Sequence, residues 1–347
     1  MINTIMLLSG LICLILGAEG LVRGGTAIGL RLGLTPLFIG LTIVACGTSA
    51  PELVVSVSAA LQDKGDISIA NVVGSNILNI ACILGLTAII TPVSVNLSVI
   101  KLDIPVMIAV SIVAFWLING GTLTRLAGIV LILSLCGYIT LTYLLTKKEK
   151  NAEADFAIKE LVPSSGLSWV KNLGYIFGGI GLMVLGSKLL VDSASIMARL
   201  IGVSEAVIGL TVVSLGTSMP ELATSVVAAL RRKPDVAVGN VVGSNIFNIL
   251  GILGVSSVVT PLTAPGISTV DLGVMVIAAL LLLPLAWTGR ILQRWEGGLL
   301  LLGYGAYLWW LWPSQIVKPF FNSLVLHRTS SCLQHQLHIL HVQNLVN

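Results

Sequence analysis

Residues 47–53 read GTSAPEL, and residues 216–222 read GTSMPEL. Each places a glutamate directly after a proline inside a long apolar stretch. A lone carboxylate is costly at membrane depth, and proline lacks the N–H that a helix interior uses. The two motifs belong to a longer repeat. Residues 47–85 shifted by 169 fall on 216–254 without a gap, and 25 of those 39 positions are identical. Echoes continue outward as GLT at 40–42 and 209–211 and as TP at 91–92 and 260–261. Coincidence does not produce this agreement; the chain is a duplication.

The medium surrounding the repeat follows from composition. Of the 347 residues 56% are hydrophobic and 10% are charged, with a mean hydropathy of +1.01. Soluble domains carry about 25% charged residues, so the chain is an integral membrane protein with the lipid bilayer as its surroundings. Runs of about 20 apolar residues cross a bilayer as helices. Ten stretches qualify, at roughly 4–22, 34–61, 67–90, 99–118, 124–146, 172–191, 203–230, 236–259, 269–287 and 295–312. The polar stretch 147–168 divides them into five and five. Because five is odd, the second half enters the membrane from the opposite side. The expected fold is an all-α integral membrane protein of ten transmembrane helices in two inverted five-helix repeats. Residues 1–146 form the first repeat, 147–171 a cytoplasmic linker and 172–312 the second repeat. The tail 313–347 holds all four histidines in a stretch unlike the rest, and is read as disordered or of frameshifted or vector origin.

Orientation follows from the Lys and Arg positions. Placing Lys147, Lys148, Lys150, Lys159 and Lys171 in the cytoplasm puts thirteen of the nineteen basic residues inside. Both termini then face outward. The N-terminus lacks the basic and small-residue features of a cleaved leader, so the first span is expected to stay, and localisation to the cell (plasma or inner) membrane rests on the absence of a targeting segment. Four of the five cysteines lie in spans without metal-ligand spacing and read as small packing residues. No basic–aromatic surface points to nucleic acid.

The repeated motifs carry oxygen. Residues four apart share a helix face, so Thr48, Glu52 and Ser56 form one polar stripe with Ser49 beside it. Thr217, Glu221 and Ser225 repeat it with Ser218 alongside. In the following spans Asn71, Ser75 and Asn79, and again Asn240, Ser244 and Asn248, are spaced by four. Pro51 and Pro220 free the carbonyls of Gly47 and Gly216 from helical pairing, and irregular backbone at membrane depth is tolerated where it lines a cavity. Carboxylate, hydroxyl, amide and carbonyl oxygens suit hard cations such as Ca²⁺ and Na⁺, whereas zinc and copper favour Cys or His, and no span contains a histidine. The blander alternatives are a structural hydrogen bond for each glutamate and interhelical glue for the serines and asparagines. Gly74 and Gly243 read as close-packing positions, Asp66 and Asp235 as helix N-caps, and Glu19, Lys188, Asp103 and Asp271 as interfacial residues.

With GTSAPEL and ANVVGSNILN in one half, and GTSMPEL and GNVVGSNIFN in the other, the chain resembles the sodium/calcium exchanger family of cation/calcium antiporters. The resemblance covers about residues 1–312. It implies ten helices in two inverted repeats, with helices two, three, seven and eight as the core, and no large regulatory loop. It implies that Glu52 and Glu221 bind the cations, with Thr48 and Thr217 assisting. Ser49, Ser218, Ser75 and Ser244 would complete flanking sodium sites, and Asn79 and Asn248 the middle of the cluster. One departure stands out: some members carry aspartate where this chain has Asn248, which leaves the ion count and the coupling ion open.

The expected function is a secondary antiporter exchanging Ca²⁺ for Na⁺ by alternating access. The ions are substrates, and no cofactor is expected. The alternatives are a proton-coupled antiporter, with H⁺ as the counter-ion, and a cation channel. An enzyme using Ser49 or Ser218 as nucleophile lacks a base in the spans.

Overall fold

The structure is a computed structural model and describes residues 2–32, 34–148, 169–200, 207, 209–230 and 234–311. The histidine-bearing tail and residues 149–168 of the linker lie outside the described residues. Helix α1 spans Ile2–Arg31. Helices α2 (Leu37–Thr48) and α3 (Ala50–Leu61) form one span bent by 44°, followed by α4 (Gly65–Ile90). Strand β1 (Val93–Ser94), helix α5 (Val99–Asn119), strand β2 (Thr122–Leu123) and helix α6 (Arg125–Lys148) complete the first half. The second half runs α7 (Trp169–Leu200), α8 (Leu210–Thr217) and α9 (Met219–Leu230), the last two bent by 50°, then α10 (Pro234–Val259). Strand β3 (Leu262–Thr263), helix α11 (Thr269–Trp287), strand β4 (Ile291–Leu292) and helix α12 (294–311) follow.

Six described helices are long and apolar enough to cross a membrane, or eight when each bent pair counts as one span. Helices α1 and α12 occupy the places of the expected first and tenth spans. The bends fall where the repeated prolines require them. Ser49 (φ −82°, ψ 9°) and Ser218 (φ −84°, ψ 8°) leave the helical region, and Pro51 and Pro220 stand at the start of the following helices, where a missing N–H costs nothing.

The halves are related by a pseudo-two-fold that the short strands make explicit. Strand β1 pairs with β4, Val93 opposite Leu292 and Ser94 opposite Ile291. Strand β2 pairs with β3, Leu123 opposite Leu262 and Thr122 opposite Thr263. Adding 169 to the first-half members, and subtracting it from the second-half members, turns one ladder into the other. The ladders cap opposite ends of α5 and α11, so these helices run antiparallel. The operation exchanging the halves also exchanges the two ends, and its axis lies across the helices. This is an inverted repeat.

Helices α4 and α10 are central, 78% and 83% buried, whereas α6 and the first part of α7 are 22% buried and present apolar surface outward. Between helices in lipid there is little hydrophobic drive, so close approach by small residues holds them. A Cβ on Gly74 would lie 2.5 Å from the Leu210 carbonyl of α8, and one on Gly243 would lie 2.5 Å from the Leu41 carbonyl of α2. Each central helix thus packs directly on the bent span of the other half. Helix α1 packs on α7 and α9, and α7 also on α3.

Several charged residues differ from the sequence expectation. Asp103 and Asp271 are 2% and 3% exposed, buried within the protein. Tyr138 of α6 donates to Asp103 at 2.8 Å, and Tyr307 of α12 donates to Asp271 at 2.9 Å. Asp271 additionally accepts from the backbone N–H and the hydroxyl of Ser268 in a capping box. The tyrosines, three turns or more into the following helices, supply partners that span position alone did not suggest. Asp66 does not cap its helix: it lies in the first turn and accepts from the Gly266 N–H of the other half at 2.9 Å.

Candidate cation-binding site

Glu52 and Glu221 lie in the first turns of α3 and α9, just past the two bends, and both are fully buried. The break lets the hydroxyl immediately before each proline-containing turn reach the opposite half. Ser49 Oγ donates to Glu221 Oε1 at 2.8 Å, and Ser218 Oγ donates to Glu52 Oε1 at 2.9 Å. The four residues are therefore one constellation, with each glutamate held by the repeat it does not belong to. Ser244 Oγ adds a longer contact of 3.4 Å to Glu221 Oε1.

The scaffold behind them is equally reciprocal. Thr48 donates to Asn240 Oδ1 at 3.1 Å, and Thr217 donates to Asn71 Oδ1 at 3.2 Å. Asn71 Nδ2 donates to Ser56 Oγ and to the Glu52 carbonyl at 3.0 and 3.3 Å, and Asn240 Nδ2 donates to Ser225 Oγ and the Glu221 carbonyl at the same distances. Asn71 and Asn240, visible in the sequence as parts of the polar stripes, thus fix the bent spans rather than adding free oxygens. One substitution breaks the symmetry. Ser214 donates to the Asn71 carbonyl at 3.1 Å, whereas its counterpart in the first half is Ala45.

What remains unpartnered defines the chemistry. Ten side-chain atoms of the described residues are buried without a hydrogen-bond partner, and five of them, Glu52 Oε2, Glu221 Oε2, Asn79 Oδ1, Asn248 Oδ1 and Ser75 Oγ, lie on the polar stripes of the two repeats. A buried polar atom left without a partner costs about 1–3 kcal/mol, and more for a charged group. Here all five are oxygens on positions of the duplicated motifs. Carboxylate, amide and hydroxyl oxygens form the donor set that hard cations take, Ca²⁺ with 6–8 oxygen ligands. Among the described residues no three His, Cys, Asp or Glu side chains come together, so two carboxylates amid neutral oxygens make up the charge of this site.

All ten residues singled out in the sequence are buried. Hydrogen bonds connect Thr48, Ser49, Glu52, Thr217, Ser218, Glu221 and Ser244 through Asn71 and Asn240, while Asn79 and Asn248 are bonded to Asn245 and Asn76. Thr48, Ser49, Glu52, Ser75, Asn79, Thr217, Ser218, Glu221, Ser244 and Asn248 are each no more than 1% exposed. Pattern reading passed over Asn76 and Asn245, which are hydrogen-bonded to Asn248 and Asn79 across the two halves. They stand one residue off the four-residue stripe, and the only sequence signal for them was their identity in both copies of GSN. Asn79 and Asn248 also open π-helical segments, Asn79–Leu84 and Asn248–Leu253, a distortion frequently found at functional positions.

The chain is similar to sodium/calcium exchangers and to other membrane proteins. A family model described as sodium/calcium exchanger protein matches residues 2–144 and 171–312. The sodium/calcium exchanger MaX1 of Methanosarcina acetivorans is 32% identical, over 88% of this chain and 97% of its own length. The inner membrane protein YrbG of Escherichia coli is 33% identical, over 90% of this chain and 98% of its own. Among solved structures, the sodium-calcium exchanger NCX_Mj soaked with Na⁺ and Sr²⁺ superposes with a TM-score of 0.73. It shares 33% identity and covers 89% of this chain and 98% of that one.

Proposed function

Since the chain belongs to the sodium/calcium exchanger family, matched along both halves, we propose that it is an antiporter exchanging Ca²⁺ for Na⁺ across the membrane at the site built by Glu52 and Glu221. The observation that carries this is the set of five buried, unpartnered oxygens drawn from both inverted halves. Glu52 and Glu221 supply the charge through Oε2. Asn79, Asn248 and Ser75 supply neutral oxygens, and Ser49, Ser218 and Ser244 hold the carboxylates while keeping their own lone pairs available. Thr48 and Thr217 end the first half of each bent span, where the negative ends of α2 and α8 favour a cation.

One cluster serves both ions, so occupancy by Ca²⁺ excludes Na⁺, and that competition couples the two fluxes. Alternating access follows from the inversion: the same site reaches one face through one repeat and the other face through its mate. The moving element is α1 with α7, long apolar helices packed on each other and on the bent spans. Their glycines permit close approach, a Cβ on Gly17 falling 2.6 Å from the Gly179 carbonyl. No resident cofactor takes part, no enzymatic step is involved, and the ions are cargo. The protein is placed in the cell membrane with the basic linker in the cytoplasm and both termini outside.

The test is flux. Proteoliposomes loaded with Na⁺ and diluted into Na⁺-free medium take up Ca²⁺, and an imposed pH gradient without Na⁺ does not drive uptake. No Ca²⁺ movement under the sodium gradient refutes the proposal. Uptake driven by the pH gradient alone selects the proton-coupled alternative, and non-saturating flux without a counter-ion selects a channel.

A further inference from the structure

Resting on that site, we infer that Asn76 and Asn245 are positioning residues: each fixes, across the pseudo-two-fold, which end of the Asn248 or Asn79 amide faces the ions. An asparagine side chain carries a donor and an acceptor of nearly equal size, and only its neighbours decide which points where. In this protein the decision starts from the main chain. Asn76 donates through Nδ2 to the Asn245 carbonyl at 3.3 Å, and Asn245 donates through Nδ2 to the Asn76 carbonyl at 3.4 Å. A main-chain carbonyl can only accept, so neither amide can turn over. The same nitrogens lie against Met275 Sδ at 4.0 Å and Met107 Sδ at 3.6 Å, again acceptors.

With the nitrogens committed, Oδ1 of Asn76 and of Asn245 must face the other way. They accept from Asn248 Nδ2 and Asn79 Nδ2, both at 3.0 Å. That in turn leaves Asn248 Oδ1 and Asn79 Oδ1 on the opposite side, where both are unpartnered. The order of necessity runs from backbone carbonyl to Asn76 to Asn248, and by symmetry from backbone carbonyl to Asn245 to Asn79. Without it, Asn79 or Asn248 could rotate and present an NH₂, whose partial positive charge repels a cation. Each ligand is thereby set by the repeat opposite its own.

A double-mutant cycle reads this directly, with Ca²⁺ titrated into purified protein. Partners that orient a metal ligand typically change affinity by about 10–100-fold when removed. Asn245→Ala is expected to weaken Ca²⁺ by that factor, because Asn79 is freed to rotate. In an Asn79→Asp background the same Asn245→Ala step is expected to cost nothing, because a carboxylate offers oxygen at both ends. An equal loss in both backgrounds, or no loss in either, overturns the inference and leaves Asn245 a packing residue. Asn76→Ala with Asn248→Asp is the mirror cycle and decides the question if Asn245→Ala does not fold. Glu52→Gln, titrated alongside, separates the two readings: unchanged affinity there means that the site itself is misassigned.

Discussion

Gly243→Ala tests how tightly the central helix is seated. The added Cβ would lie 2.5 Å from the Leu41 carbonyl oxygen and 2.8 Å from the Leu41 Cα. Ordinary carbon–oxygen contacts fall at about 3.3–3.6 Å, so α10 must retreat from α2 by roughly 1 Å. Both neighbours are backbone and cannot swing aside. Overpacking of this kind costs about 1–3 kcal/mol of stability. The functional cost is larger, because Gly243 immediately precedes Ser244 while α2 leads into the bend that positions Glu52. A 1 Å misplacement of a tuned constellation costs on the order of 100-fold, and that is the expected loss of Na⁺-driven Ca²⁺ uptake in proteoliposomes. Gly74→Ala meets Ser214 Oγ at 2.4 Å, the Leu210 carbonyl at 2.5 Å and the Leu210 Cα at 2.8 Å, so it should cost at least as much as Gly243→Ala in both readouts. Gly137→Ala, with nothing within 4 Å of the new Cβ, should leave uptake and thermal unfolding unchanged. Wild-type uptake by Gly243→Ala, with unaltered unfolding, would refute the argument that backbone contact at this glycine sets the site.

Glu52→Gln and Glu221→Gln are each expected to raise the Ca²⁺ dissociation constant by two to four powers of ten in a titration, because one lost charge leaves the buried divalent ion uncompensated by about 3–5 kcal/mol. Their reciprocal serines predict effects of similar size, and retained affinity in either removes that residue from the site. Ca²⁺ at 100 times its dissociation constant should stabilise the wild type by about 2.7 kcal/mol in thermal unfolding, and that gain should vanish in Glu52→Gln. Tyr138→Phe should destabilise more than Tyr307→Phe, by about 1–3 kcal/mol for the former. Asp271 keeps its Ser268 partners after the loss. Neither change should alter Ca²⁺ affinity.

The duplicated motif and the odd number of spans made the inverted architecture legible in the sequence, because both depend on local pattern and on hydropathy. The four-residue stripes brought out the glutamates, serines and asparagines for the same reason: the α-helical period is a local property. What stayed hidden depends on contacts between distant segments. Asp103 and Asp271 looked interfacial from their place near span ends, yet a tyrosine 35 or 36 residues later covers each one. Asp66 looked like a cap, and its partner is Gly266, 200 residues away. Asn76 and Asn245 stand beside the stripe and act through the opposite repeat, which no periodicity reports. The repeat did carry one usable hint, since residues retained in both copies off the stripe are candidates for a role across the axis.

The two small β ladders carry a mechanical consequence. One joins Val93 and Ser94 to Leu292 and Ile291, extended by Val95 N–H to the Arg290 carbonyl, and the other joins Thr122 and Leu123 to Thr263 and Leu262. They sit at opposite ends of the same antiparallel pair of helices, so the halves are stitched together at both rims. A clamshell that opens by tilting one half away from the other must tear a seam at one rim on every stroke. A body sewn in this way suits a fixed frame, and under the proposed exchange the element that switches the site's exposure is expected to travel across it.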